Sequence, residues 1–173
     1  MRTRVKKWSV GAMSLLALAF VISVTAEPAY AQAVRIVVQM NGAQEVPAVA
    51  PAGTGVARLV VNPTTRAIRG TVTFTGLTSP STAGHIHLGT ARVNGPVLIP
   101  LVGGVGLTAG TMRIPPGTVL LPAQMTALRQ NRLYLNIHSQ LHLGGEIRGQ
   151  VRFPVARPVA ATANPVPAQA AAG

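Results

Sequence analysis

The chain has 173 residues, with 15 Lys and Arg against 3 acidic residues, 4 His and no Cys, and a formal net charge of +12; this suits one ordinary domain with extensions. The acids are Glu27, Glu45 and Glu146, so EF-hand and two-metal phosphatase sites lack their oxygens, and only Glu45 and Glu146 could form a glycosidase pair. Without Cys there is no disulfide, thiol nucleophile, iron–sulfur cluster or Cys–zinc site, and 3% aromatics argue against a stacking platform for sugars or single-stranded nucleic acid.

The chain opens with Arg2, Arg4, Lys6 and Lys7, continues in an apolar run from Val10 to Val24, and reaches Ala29-Tyr30-Ala31. Basic start, apolar stretch and small-x-small site read as a secretory signal peptide over residues 1–31, cut before Gln32. The apolar run is shorter than the ~20 residues of a spanning helix. The expectation is an exported protein, periplasmic or extracellular, with no membrane span after cleavage. Cleavage removes four basic residues and Glu27, so 11 Arg and 2 Glu remain and the net charge is +9. No Lys is then left for a Schiff base. The remaining arginines are scattered and form no nucleic-acid motif. They suit a solvated face or a partner such as an anionic envelope or extracellular polymer.

Strand patterns fill the body. Val34–Met40 is strand-like and ends at the turn pair Asn41-Gly42. Gly55–Val61 and Ala67–Thr75 form a hairpin across Asn62-Pro63-Thr64-Thr65. In the second strand Ile68, Gly70, Val72 and Phe74 alternate with Arg69, Thr71, Thr73 and Thr75, the period of a half-buried strand. Gly84–Leu88 and Pro96–Val102 are further strands, and Pro100 places the latter at an edge or bulge. Gly103–Gly110 reads as a loop. Pro122–Arg129 reads as a short helix, with Leu121, Met125 and Leu128 on one face. Arg132–His138 and Glu146–Phe153 close the domain. Residues 154–173 are Pro/Ala-rich, carry no alternation and are expected to be a disordered tail. The folded unit is therefore 34–153, an all-β sandwich or barrel.

The four histidines are His85, His87, His138 and His142. Residues i and i+2 of a strand point the same way, so His85 and His87 form a pincer opposite Ile86 and Leu88. In the later strand Leu133, Leu135 and Ile137 are the apolar set, which puts Tyr134, Asn136 and His138 on the other face. In the last strand Ile147 and Val151 are core, and Glu146, Arg148 and Gln150 face away. If these strands are neighbours, three imidazoles converge, a donor set suited to zinc, copper, iron or nickel. A hydrogen-bonded polar cluster, with Glu146 pairing Arg148 or a histidine, is the competing reading.

Several segments together resemble the chordin-type (CHRD) domain of exported bacterial proteins and of chordin. They are Asn41-Gly-Ala-Gln-Glu-Val-Pro47, Gly70-Thr-Val-Thr-Phe-Thr-Gly-Leu77, Ala83-Gly-His-Ile-His87, Asn94-Gly-Pro96, Leu133-Tyr-Leu-Asn-Ile-His138 and Gly144-Gly-Glu-Ile-Arg-Gly-Gln150. More distantly, Gly70–Leu88 is similar to the copper-pair region of copper–zinc superoxide dismutases, with His138 where that fold supplies another copper histidine. The resemblance implies an immunoglobulin-like Greek-key sandwich with one short helix, and a copper site of His85, His87 and His138, with zinc as the alternative. The chain lacks the zinc-site aspartate, the bridging histidines and the disulfide of those enzymes, so the resemblance extends to a mononuclear site at most. Glu146, Asn136, Arg148 and His142 are the candidates for supporting or additional ligands. The expected function is metal binding without an assigned reaction, and dismutase activity is a minor option. The rival is a non-catalytic interaction module for an anionic partner. A serine hydrolase is disfavoured by the absence of a Gly-x-Ser-x-Gly elbow.

Overall fold

A computed structural model describes residues 33–154. The segments read as an export signal (1–31) and, from residue 155, as a Pro/Ala-rich tail lie outside the described residues. Eight strands are present: β1 Val34–Asn41, β2 Thr54–Val61, β3 Ile68–Thr75, β4 Ser81–Leu88, β5 Val97–Pro100, β6 Gly110–Arg113, β7 Leu133–Ser139 and β8 Ile147–Val151. One α-helix, α1, spans Pro122–Arg129 between β6 and β7, and a 3-10 turn at Gly42–Gln44 follows β1. The strands form one antiparallel sheet in the order β5-β4-β7-β8-β1-β2-β3-β6. Its two ends meet, because Val102, just past β5, exchanges two 2.9 Å backbone hydrogen bonds with Arg113 of β6. The curled sheet is an all-β, sandwich-like fold whose two halves face each other across the core.

Alternation builds that core. Ile36, Val38 and Met40 of β1, Ala57, Leu59 and Val61 of β2, and Ile68, Val72 and Phe74 of β3 are buried. Ile86 of β4, Ile99 of β5, Met112 of β6, Leu133, Leu135 and Ile137 of β7, and Ile147 and Val151 of β8 join it, with Met125 and Leu128 of α1. A Cβ on Gly84 would strike the Met112 side chain, so a glycine in β4 lets the opposing half pack close. The β2–β3 hairpin turns where Asn62 Oδ1 accepts the backbone N–H groups of Thr64 and Thr65, each at 2.9 Å. That is an Asx turn, and Arg66 (φ 62°) completes the reversal.

Four details differ from the sequence reading. β6 lies partly in the segment read as a glycine loop. Four residues with one buried side chain, Met112, are too few to display alternation. β4 starts at Ser81 rather than Gly84, through an irregularity between Ser81 and Ala83. Helix α1 has the expected bounds, but Leu121 stands before it with 62% exposure. The buried residues are Met125, Ala127 and Leu128. Finally, the face of β4, β7 and β8 away from the core is partly covered: His87, Asn136 and Arg148 are buried, while His85 and His138 are half-buried. The chain around 45–53 and 89–96 folds over it.

Candidate metal centre

The register of β4 on β7 sets the arrangement. His85 pairs with Asn136, His87 with Tyr134, and Ala83 with His138. Side chains of directly paired and diagonal residues meet on one face of an antiparallel ladder. His85, His87 and His138 accordingly point the same way, and one donor atom from each lies within 4.8 Å of the others. The ring centroids are 5.4 Å apart for His85–His87, 4.9 Å for His85–His138 and 6.0 Å for His87–His138.

Backbone carbonyls fix two of the tautomers. His87 Nδ1 lies 3.0 Å from the Gly95 carbonyl, and His138 Nδ1 lies 2.8 Å from the Leu143 carbonyl. A carbonyl only accepts, so both Nδ1 atoms carry the proton and both Nε2 atoms keep a bare lone pair. His85 Nδ1 donates to His138 Nε2 across 2.9 Å. His87 Nε2 is buried without any hydrogen-bond partner. A buried, unsatisfied nitrogen beside two other imidazoles costs free energy unless something binds it. Two ligands about 2.0–2.1 Å from one ion stand about 2.9 Å apart at a right angle and at most about 4.2 Å apart when opposite. The three donors, all within 4.8 Å of one another, stand close to that range. To hold an ion through Nδ1, His85 would carry its proton on Nε2 instead.

The surroundings also favour the neutral rings. Burial lowers the pKa of His85 below the usual 6.5, and the neighbouring His138 and His87 lower it further. Burial likewise lowers that of His87, against the Gly95 hydrogen bond, with His138 and Arg148 adding to the depression. Burial dominates for His138, opposed by its bond to Leu143. Neutral imidazole is the form that binds a metal.

The supporting residues take distinct places. Asn136 is buried and donates through Nδ2 to Glu45 Oε1 at 2.8 Å. Arg148 is 1% exposed. Its guanidinium donates to Asn94 Oδ1 (2.9 Å) and to the carbonyls of Thr90 (2.9 Å) and Val93 (3.0 Å), and its Cζ sits 3.5 Å from the Tyr134 ring centroid. Glu146 is not brought to the histidines. Its Oε1 accepts N–H from Gly53 (3.2 Å) and Thr78 (2.7 Å), and its Oε2 accepts the hydroxyls of Thr78 (3.0 Å) and Ser139. Burial pushes its pKa up, but the Ser139, Thr78 and Gly53 bonds outweigh burial and hold it below the usual carboxylate value. It is a structural knot joining three segments. His142 sits half-exposed in the turn after β7, its carbonyl accepting from Ser139 and Gly145, and outside the donor group.

Two residues gained importance only in three dimensions. Tyr134 stacks on His87 at 4.8 Å and 8° and receives the Gly95 N–H at 3.1 Å, wedging the ring of a prospective ligand in place. Glu45 is buried on the covering segment, and burial raises its pKa to about 7 against the pull of Arg148 and a backbone bond at Val46. The available signal was its place in Asn41–Pro47, one of the segments that carry the family resemblance.

A face whose buried polar residues hold three imidazoles around one point, roofed by two loops of the same domain, defines an all-β domain with a prospective metal centre. The family model for the CHRD domain matches residues 36–151, more than half of the chain, and the chain belongs to that family. No curated protein and no solved structure matches it at a significant level.

Proposed function

We propose that this CHRD domain belongs to an exported protein that holds one metal ion, copper with zinc as the alternative, on His85, His87 and His138. The observation that carries the reading is the buried, partnerless Nε2 of His87 within reach of two further imidazole nitrogens. Copper is placed first because the Gly70–Leu88 segment and His138 resemble the copper-pair region of copper–zinc superoxide dismutases. Three protein ligands leave a coordination position open. The donor group found among the described residues is three histidines, and the reading is of metal binding with no assigned reaction. Export is supported by the amino-terminal pattern of Arg2 to Ala31. No helix among the described residues is long and apolar enough to cross a membrane. Titration of metal-free protein with copper and with zinc tests the proposal. One ion per chain is expected for the native sequence and none of comparable affinity for His87→Ala or His138→Ala. A native protein that takes up neither ion refutes it.

A second reading has its own observation. A cleft of about 560 Å³ is lined by Arg92, Arg148 and Arg152 together with Gln44, Glu45 and Gln150. It suits an anionic envelope or extracellular polymer. Salt-sensitive retention on a polyanion matrix, weakened in Arg92→Ala, is the expected sign, because exposed charges are screened within about 10 Å at 0.1 M salt.

A further inference from the structure

The back of His87 carries a stack that a plain imidazole site does not need. Tyr134 lies nearly parallel on the His87 ring at 4.8 Å, and the Arg148 guanidinium lies on Tyr134 at 3.5 Å. Strand register produces it. Tyr134 pairs with His87 on one side and with Gln150 on the other, and Arg148 is the diagonal neighbour, two residues before Gln150. Arg148 is 1% exposed, and its three hydrogen-bond acceptors are an amide oxygen and two backbone carbonyls, all neutral. Among the described residues, Glu45 is the carboxyl group whose charge acts on it. A cation is thus held in a low-dielectric setting behind a prospective ligand, with no acceptor on its own atoms to neutralise it. The three donors beyond Tyr134 are imidazoles, whose pKa values burial lowers.

Resting on the metal reading above, we infer that Arg148, acting through Tyr134, biases the three-histidine site toward cuprous over cupric copper. The physical reason is the charge difference between the two ions. A fixed positive charge repels Cu(II) twice as strongly as Cu(I), so it raises the reduction potential of bound copper. The stack places the guanidinium on the order of 10 Å from an ion on His87. At an effective dielectric constant of about 20, a unit charge at that distance changes the relative affinity for the two states by about tenfold. Tyr134 gives the arrangement its rigidity. Its ring is pinned by the Gly95 N–H, and Gly95 also fixes the His87 tautomer. Arg148 is therefore a positioning residue that acts on the ion's potential and does not touch it.

The test is a comparison of Cu(I) and Cu(II) affinities at pH 8, by competition with chelators of known affinity, after copper stoichiometry has been measured for each protein. The pH lies above the value of about 7 to which burial raises Glu45. Arg148→Met should lower the ratio of Cu(I) to Cu(II) affinity about tenfold, equivalent to a potential lower by about 59 mV for one electron. Arg148→Lys, which keeps the charge and loses the fork, should stay within threefold of the native ratio. Glu45→Gln, which removes the nearby negative charge, should move the ratio the other way, by at least threefold. A merely structural Arg148 would leave the ratio unmoved in every folded variant. A folded, copper-loaded Arg148→Met within twofold of native overturns the inference while leaving the metal reading standing. If Arg148→Met does not fold, Glu45→Gln decides, and an unchanged or lowered ratio overturns it. A native protein that binds copper in neither state overturns the metal reading itself, and the stoichiometry shows which has failed.

Discussion

Replacement of Glu146 separates a structural carboxylate from a metal ligand. The side chain is fully buried and accepts four hydrogen bonds, from the backbone N–H of Gly53 and of Thr78 and from the hydroxyls of Thr78 and Ser139. Glu146→Ala strands two backbone donors at about 1–2 kcal/mol each and leaves a small cavity, for a loss of about 3–5 kcal/mol. For a domain of this size that is a fall in Tm of about 10–20 °C. Glu146→Gln keeps Oε1 for both N–H groups and lets the two hydroxyls rotate toward a new donor, so it loses charge assistance and costs about 1–2 kcal/mol. Urea unfolding should show a lower midpoint with an unchanged slope in both cases. Copper or zinc affinity of Glu146→Gln should stay within threefold of native. A Glu146→Ala protein within about 0.5 kcal/mol of native would refute the structural role, since so small a change is typical of surface substitutions. Loss of metal in a folded Glu146→Gln would refute the separation of this carboxylate from the ion.

Gly145 has φ 130°, and a Cβ there would meet the Asn136 amide and approach Glu45 Oε1 to 2.7 Å; Gly145→Ala should lose about 2–4 kcal/mol, measured by urea unfolding. Asn62→Ala removes both bonds of the β2–β3 Asx turn and should cost about 1 kcal/mol without altering metal affinity, checked by thermal melting and metal titration. The three histidines have folded pKa values below 6.5. The unfolded chain therefore binds more protons below that pH, so their contribution to stability is complete above 6.5 and is lost as pH falls through the lowered values. Glu45, raised to about 7, runs oppositely: its contribution is present below the unfolded value and is lost as pH rises through 7. The diagnostic is thus the difference between native protein and His87→Ala. Urea midpoints at pH 7.5 and 5.0 should show a smaller acid-side loss in the variant, and added copper or zinc should enlarge the loss in native protein, because protons compete for the ligands.

Period-two alternation carries much of this fold. Gly55–Val61 with Ala67–Thr75, and Leu133 to Ile137, could be placed because β-branched and leucine side chains mark one face so regularly. The same parity put His85, His87 and His138 together, since a strand offers only two faces. What parity cannot supply is what lies above the outer face. Glu146 sits just before β8, and its carboxylate turns to Gly53 and Thr78, partners distant in the chain, as well as to nearby Ser139. Arg148 was legible as an outward-facing residue, yet it is buried, and its acceptors Thr90, Val93 and Asn94 lie in a loop with no hydrophobic periodicity to place it. Tyr134 was legible as an outward residue, but its stack on His87 depends on the register of β4 with β7. β6 escaped because a four-residue strand rich in small and polar side chains carries too little signal against its glycine neighbours.

X-ray absorption spectroscopy of the copper-loaded native protein tests the central claim most directly. The expected spectrum shows three histidine nitrogens at about 2.0 Å around a single copper, with imidazole outer-shell scattering, and one imidazole fewer in any surviving complex of His138→Ala. A spectrum of oxygen ligands without imidazole scattering, or one unchanged by His138→Ala, would contradict the three-histidine centre.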